Sequence, residues 1–404
     1  MTSNTLLTID QVTNEALRIL HQKLNFVGSI NRQYDDSFAK KGAKIGSNLR
    51  VKLPPRYTSA TGATYSANNT VENYVNVPCS TQRHVGMDFT SKELTLDIDK
   101  FADEFLEPAM AQLAADMESD AMNMYKDVSA QVGTAGTVPA TFKVLAEAAG
   151  KIRQNGLVND DSLTAILNTD AHVEMSDALK ALQNPSKQIG DNYKKGLIVN
   201  ETGGFKNIFE NTMIPVHTNG SQGGTPLVDT AAAADGDTTI HIDGVTAGNT
   251  WTEGTVFTIA GVYAVHPETR VSTGKLQQFV VTADATFTAG EADVPVWPTL
   301  QSTGNFKTIN ALPADNAAIT LESGSASTGY AQNLAFHKDA FAFVTADLVN
   351  PKGSVEFGAQ KQYDGLSLRI LRQYDARTDE FITRADVLYG YATLRPELAC
   401  RITA

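Results

Sequence analysis

The side chains able to do chemistry are spread along this chain rather than gathered. Its seven histidines stand at 21, 84, 172, 217, 241, 266 and 337, and none falls in an HExxH or CxxC arrangement of the kind that holds a metal. The closest grouping is Asp170, His172 and Glu174. Alternate residues share a face only on an extended segment, and the apolar spacing around them is helical, so no acid–base pair is expected there. Asp235-Gly236-Asp237 opens like a calcium loop but lacks the later acidic ligands and the terminal Glu. It reads as a turn into a strand at 238–242. The loop from Val132 to Thr137 has two glycines but no Lys-Ser/Thr after them, so it is no phosphate loop. Nucleophile-elbow, kinase and dinucleotide signatures are missing too, and the carboxylates do not sit isolated in apolar sequence, as a raised-pKa general acid requires. Cys79 and Cys400 lie far apart without metal spacing and read as reduced thiols of a protein made in the cytosol. No catalytic residue, cofactor or metal is expected, and the chemistry left is that of surfaces meeting surfaces.

Composition narrows the class. The 404 residues are 42% hydrophobic, enough for two or three domains with real cores. Net charge is −12 and no Lys/Arg stripe exists, Lys40-Lys41 and Lys194-Lys195 being too short, which argues against sequence-specific nucleic-acid binding. No apolar run reaches the roughly eighteen residues of a membrane span. The first twenty residues lack a basic leader and a cleavage site, so secretion by the usual route is not expected.

The elements follow in order. Residues 8–24 predict an amphipathic helix, with Thr8 and Gln11 at capping-box spacing and Val12, Ala16, Ile19 and Leu20 on one face. Its stripe must dock on the body or on another subunit. Leu49–Leu53 and Val71–Val77 alternate as two strands around the polar stretch PPRYTSATGATYSANN, a hairpin able to project on the order of 60 Å. A surface that long suits lying over a neighbouring subunit, or else it is a surface loop. A helix with Pro108 at its first position carries Met110, Leu113, Met117, Ala121, Met124 and Val128 at spacings of three and four. Its methionines (110, 117, 122, 124) suit an adaptable groove or, more simply, a core. A helix at 141–154 (Phe142, Leu145, Ala149, Ile152) stops at Asn155-Gly156, a buried strand covers Leu163–Leu167, and a helix follows near 170–183. From about 219 to 329 the sequence turns Gly- and Thr-rich, with short strands at 238–242, 255–260, 279–283 and 317–321 and only Arg270, Lys275 and Lys307 as basic residues. This reads as an all-β module inserted in an α+β body. The segment at Leu334–Val344 is apolar enough for a core. A long hairpin then runs out through Leu366, Leu368 and Ile370, turns at Asp375-Ala376-Arg377 and returns from Phe381 to Tyr391.

Three of these stretches, in chain order 101–117, 253–287 and the C-terminus, carry a resemblance. FADEFLEPAMAQLAADM at 101–117, EGTVFTIAGVYAVHPETRVSTGKLQQFVVTADATF at 253–287, and NLAFHKDAFAFVTADL with DVLYGYATLRPELACRI at the C-terminus resemble, in that order, tailed-phage major capsid proteins. More narrowly they are similar to the coat-protein family of Salmonella phage P22. The resemblance implies the Hong Kong ninety-seven-type capsid fold, an α+β architecture. Its parts would be an N-terminal arm (1–44), an extended loop (45–98), a peripheral domain with a spine helix (99–160), an axial domain (161–218 and 330–365), a β-rich insertion domain (219–329) forming a small antiparallel barrel, and returning strands (366–404). One departure is the stretch from Asp229 to Thr239, short and mostly alanine where the family has a long charged loop that contacts a neighbour across a two-fold axis.

The implied function is structural. Copies of the chain, as hexamers and pentamers, would form an icosahedral procapsid with a scaffolding protein and a portal at one vertex. The shell would then expand around packaged double-stranded DNA without sequence-specific binding, with a decoration protein as a further partner, no cofactor and no membrane. It would be a virion protein assembled in the host cytoplasm. Candidate assembly residues are Val12 and Leu20 on the first helix and Arg50, Lys52, Arg56, Tyr57 and Tyr65 on the hairpin, its basic members suited to an acidic neighbour. The reading from another class is a secreted adhesin or carbohydrate-binding protein, argued from the Thr/Gly-rich β module.

Overall fold

The computed structural model describes residues 9–32, 48–57, 62–63, 72–90, 106–156, 162–179, 203–229, 234–351, 357–363 and 365–404. The chain divides into two compact units. One comprises Met1–Lys52, Tyr74–Ala121 and Phe341–Leu394, and the other Leu53–Asn73, Met122–Ala340 and Arg395–Ala404.

The first unit is a helix-covered antiparallel sheet. Helix α1 (Ile9–Lys23) is followed by one short turn, α2 (Phe26–Ser29). Strands β1 (Asn48–Lys52) and β2 (Tyr74–Pro78) pair antiparallel, with Leu49 opposite Val77 and Val51 opposite Val75. Strand β3 (Thr81–Thr90), which the sequence reading lacks, lies along β20 (Glu380–Thr393) from Thr90 opposite Glu380 to Thr81 opposite Tyr389. The sheet order is β17 (Phe341–Ala346), β20, β19 (Leu366–Asp375), β18 (Phe357–Tyr363). The predicted β19–β20 hairpin is present, with Leu366, Leu368 and Ile370 all buried. Helix α3 (Glu107–Met122) has 16 residues, about 24 Å at 1.5 Å per residue, and a 3-10 turn takes over at Asn123–Asp127, where Met124 continues the stripe. Met110, Met117, Met122 and Met124 are all buried, so the methionine stripe is core.

The second unit holds a mixed sheet and a barrel. The sheet order is β4 (Gln131–Val132), β21 (Ala399–Thr403), β16 (Gly329–His337), β5 (Leu163–Leu167), β6 (Asn207–Glu210), and β7 (Val216–Thr218) also pairs with β16. Helices α4 (Phe142–Gln154) and α5 (Thr169–Leu179) pack on it through Leu145, Ala149, Ile152, Ala171 and Met175. Phe142, expected on the buried stripe, is instead 44% exposed, at the first residue of the helix. All five residues of β5 are buried, Thr164 among them, as in a strand covered on both faces.

The insertion is a closed antiparallel barrel in the order β11 (Val256–Val265), β12 (Ser272–Val281), β14 (Ala292–Leu300), β9 (Asp237–Val245), β8 (Gly224–Val228), β15 (Ala317–Leu321), with β10 (Thr250–Trp251) and β13 (Ala285–Thr286) as a small pair beside it. Closure leaves no free sheet edge. Trp251, Phe257, Phe279 and Phe287 fill the interior with centroid separations of 5.2–5.8 Å. The mixed α+β class and the inserted barrel are therefore present.

Candidate functional site

The predicted assembly residues fall into three environments. Leu20 is fully buried, with Ala16 and Leu17, in its own unit, where α1 lies on β18 and β19. Ala16, Leu17 and Leu20 are thus covered by the chain's own sheet. Arg50 and Lys52 point away from the buried Leu49, Val51 and Val77, and the Arg50 guanidinium stands 4.1 Å from the ring centre of the half-exposed Tyr74. Arg56 already has an acid partner in its own chain, Glu397 at 3.5 Å, which also accepts from Arg395 Nε at 3.1 Å. Tyr57 is 56% exposed, and its carbonyl accepts from Arg270 Nη2 at 2.8 Å, fastening the hairpin base to the barrel. Val12 lies in α1, but its side chain, like Tyr65, most of the hairpin tip and the Thr8 cap, lies outside the described residues.

The densest polar site joins the barrel to the α/β body of the second unit. Arg401 on β21 is 1% exposed. Its Nε donates to the Val128 carbonyl and its Nη1 to the Gly254 carbonyl, both at 2.7 Å, and its guanidinium carbon lies 5.5 Å from the Tyr125 ring centre. Burial pulls its pKa down to about 10, so it remains a cation at neutral pH. Val128 and Tyr125 belong to the body and Gly254 to the turn before β11, so one side chain bridges both. Gly254 has φ +96°, and a Cβ there would sit 3.2 Å from His217 Cε1 and 3.3 Å from Lys126 Cγ. Only glycine fits that turn against the body.

Around this bridge the contacts continue. Lys126 Nζ reaches Glu253 at 2.9 Å. The Gln131 amide N–H donates to Gln278 Oε1 at 2.8 Å, and Gln278 Nε2 donates back to the Gln131 carbonyl at 3.1 Å. The Lys151 ammonium also donates to that carbonyl, at 2.7 Å, and burial lowers its pKa. Where the chain enters and leaves the insertion, Asn219 Nδ2 donates to the Ser323 and Ser325 carbonyls at 2.8 and 2.9 Å. Apart from the Lys126–Glu253 ion pair, each of these contacts gives a backbone N–H or carbonyl a side-chain partner.

The first unit carries an opposite kind of polar centre. Asp386 on β20 is fully buried and accepts from Arg369 Nη2 at 2.8 Å, Arg384 Nε at 2.7 Å and Gln82 Nε2 at 3.2 Å. Burial pushes its carboxyl pKa up, but the hydrogen bonds and charges of the two arginines outweigh that and hold it below the usual range. Nearby in the fold, Asp120 on α3 takes a bidentate pair from Arg83 and the hydroxyl of Tyr389, which ties α3 to β3 and β20. Glu118 on α3 accepts the backbone N–H groups of Phe26 and Val27, both at 3.0 Å, satisfying the start of α2.

The sequence-level catalytic candidates do not converge. On α5, His172 is buried while Asp170 and Glu174 are exposed, as a helix requires. Burial lowers the His172 pKa, and its nearest acid is Glu210 at 3.8 Å. Asp235 holds a turn: it accepts from the Ser302 and Thr303 hydroxyls and from Gln301 Nε2, and Asp237 begins β9. Among the described residues, no group of three or more His, Cys, Asp or Glu is placed to hold a metal, and no helix is long and apolar enough to cross a membrane. Cys79 and Cys400 are free and buried, and burial pushes both thiols up to about 11.

Comparison with known proteins fits this arrangement of structural contacts. The family model described as "P22 coat protein - gene protein 5" matches residues 17–401. No curated protein matches the chain. Among solved structures, it is similar to one from Mycobacterium phage Che8, at 13% identity and a TM-score of 0.47, covering 94% of this chain and 90% of that one. The capsid of cyanophage P-SCSP1u matches at 10% identity and a TM-score of 0.43, covering 89% and 83%. A virus-like particle from Pyrococcus furiosus matches at 8% identity and 0.40, covering 97% of both chains. The assignment rests on the family model, which spans nearly the whole sequence and favours the coat-protein reading over the adhesin. The chain belongs to the P22 coat protein family, and its role is that of a structural protein of a phage capsid.

Proposed function

We propose that this chain is the major subunit of an icosahedral procapsid, assembled with a scaffolding protein and a portal in the host cytoplasm and later expanded around packaged double-stranded DNA. The family match over residues 17–401 carries the reading. The order of elements supports it: a first helix, a polar hairpin, a long helix, a mixed body with an inserted barrel and long returning strands. In this reading the outward-facing Arg50, Lys52 and Tyr57, with Tyr65 and Val12, meet neighbouring copies, and the hairpin tip supplies the reach. Many weak contacts repeated around a closed shell give stability that no single contact has. A chain of net charge −12 adheres little to the genome it encloses.

Sedimentation and negative-stain imaging of the purified chain, alone and with a co-expressed scaffolding candidate, test this. Closed shells tens of nanometres across are expected, on the scale of many 43.4 kDa copies. A chain that stays monomeric under both conditions and at high concentration would overturn the reading. Deleting residues 57–68 is expected to leave a folded monomer that cannot close shells, and normal particles from that variant would remove the hairpin from the assembly surface.

A further inference from the structure

We propose that His217 acts as a proton-operated latch between barrel and body: its protonation releases the Gly254 turn and loosens the barrel from the α/β sheet. His217 lies on β7, 3% exposed, with Nδ1 3.2 Å from the Tyr125 hydroxyl and Nε2 buried without a partner among the described residues. The Gly254 turn of the barrel closes over the ring edge, close enough that a methyl group there would touch Cε1. The imidazole is therefore covered by the element that must move for it to meet water.

The charges around it favour the neutral ring. Arg401 from β21 and Lys126 from the 3-10 turn both repel a proton on it, and Arg401 Nη2 is itself buried without a partner. Of the acids in the neighbourhood, Glu253 is engaged by Lys126, Asp284 accepts the Glu253 N–H at 2.7 Å and acts on Lys126, and Asp127 acts on Arg401. Tyr125, the hydrogen-bond partner, is kept neutral by burial, which raises its pKa. Burial first, and then the two cations, hold His217 at about 4. In the neutral ring one nitrogen carries the proton and the other is an acceptor, and the Tyr125 hydroxyl can partner Nδ1 in either tautomer. Protonation turns both nitrogens into donors and adds a second cation beside Arg401, and exposure to water relieves both.

The sign follows from linkage. With the ring depressed in the closed junction and ordinary, near 6.5, once released, the closed state is fully favoured above about pH 6.5 and loses that advantage as pH falls toward 4. Each unit within that window shifts the open-to-closed ratio by up to about tenfold.

Hydrogen exchange of the full chain, read by mass spectrometry at pH 7 and at about pH 4.5 and corrected for intrinsic exchange, tests the latch. Peptides covering 216–220, 250–256 and 323–328 are expected to lose at least about tenfold in protection at the lower pH, while β14 inside the barrel keeps its own. In His217→Gln that loss should vanish. In Lys126→Met, a change at a half-exposed site, the loss should shrink, because removing one cation makes protonation of the closed state easier. Equal loss in wild type and His217→Gln, or no change in Lys126→Met, would overturn the proposal. So would junction and β14 opening together.

Discussion

Asp386 and Arg401 are both buried charges, one in each unit, and the fold treats them in opposite ways. Asp386 is met by two arginines and a glutamine, so its charge is matched and its lone pairs are filled. Among the described residues Arg401 has no hydrogen-bonded carboxylate; two carbonyls and an aromatic face receive it, and its Nη2 is unmatched there. The first arrangement is an ion cluster that fixes the register of β3, β19 and β20. The second uses a charge for its reach and its fan of donors, joining two modules through backbone oxygens. Of these two buried ions one is thus a neutralised anchor and the other a bridge, and the chemistry of the partners tells which.

That contrast can be broken by substitution. Asp386→Ala should be the most damaging, costing about 3–5 kcal/mol in urea unfolding, since it strands two arginines around an empty site. It should also remove an acid-sensitive part of stability. The Asp386 contribution is present above the unfolded carboxyl value near 3.9 and is lost as pH falls through the depressed folded value, so the variant's curve should flatten there. Arg401→Met should cost less, about 2–4 kcal/mol, because the Val128 and Gly254 carbonyls lose their donors while the expense of burying an unpaired cation disappears. A stabilised Arg401→Met would show that the bridge is dispensable and collapse the contrast. Arg384→Gln should cost below about 1 kcal/mol, since that side chain is 42% exposed and Arg369, at 13%, keeps the carboxylate paired.

Much of this fold is legible in the sequence where a single period dominates. The stripe of α3, the N-G stop of α4, the apolar run of β5 and the alternation of β19 each follow one rule, and each is present. Strand β14 escaped because Pro295 and Pro298 interrupt it, and prolines argue against a strand inside a sheet. Strand β3 escaped because its alternation is weak: Gln82, Arg83, His84 and Gly86 leave little for a pattern to catch. For the junction, one signal was available and unused. An arginine inside the otherwise apolar run Leu398–Ile402 marks a charge that the strand must bury and therefore satisfy. Its partners, Val128 and Gly254, are backbone atoms, which no side-chain pattern announces. The hairpin candidates show the converse: Arg56 has the composition of an outward-reaching cation, yet Glu397, distant in sequence, already holds it.

The Asn219 clasp bears on how such a chain closes. Thr218 and Gly329 are paired across β7 and β16, so the insertion leaves and rejoins the body's sheet at a single rung. Tying off a flexible loop of that length would carry an entropic penalty about 3 kcal/mol above that of a short turn. A barrel whose first and last strands, β8 and β15, lie side by side returns its own ends together, and Asn219 fastens them to Ser323 and Ser325. To the sheet beneath, a hundred-odd residues then weigh little more than a hairpin, and the body can form as if the insertion were a tight bend.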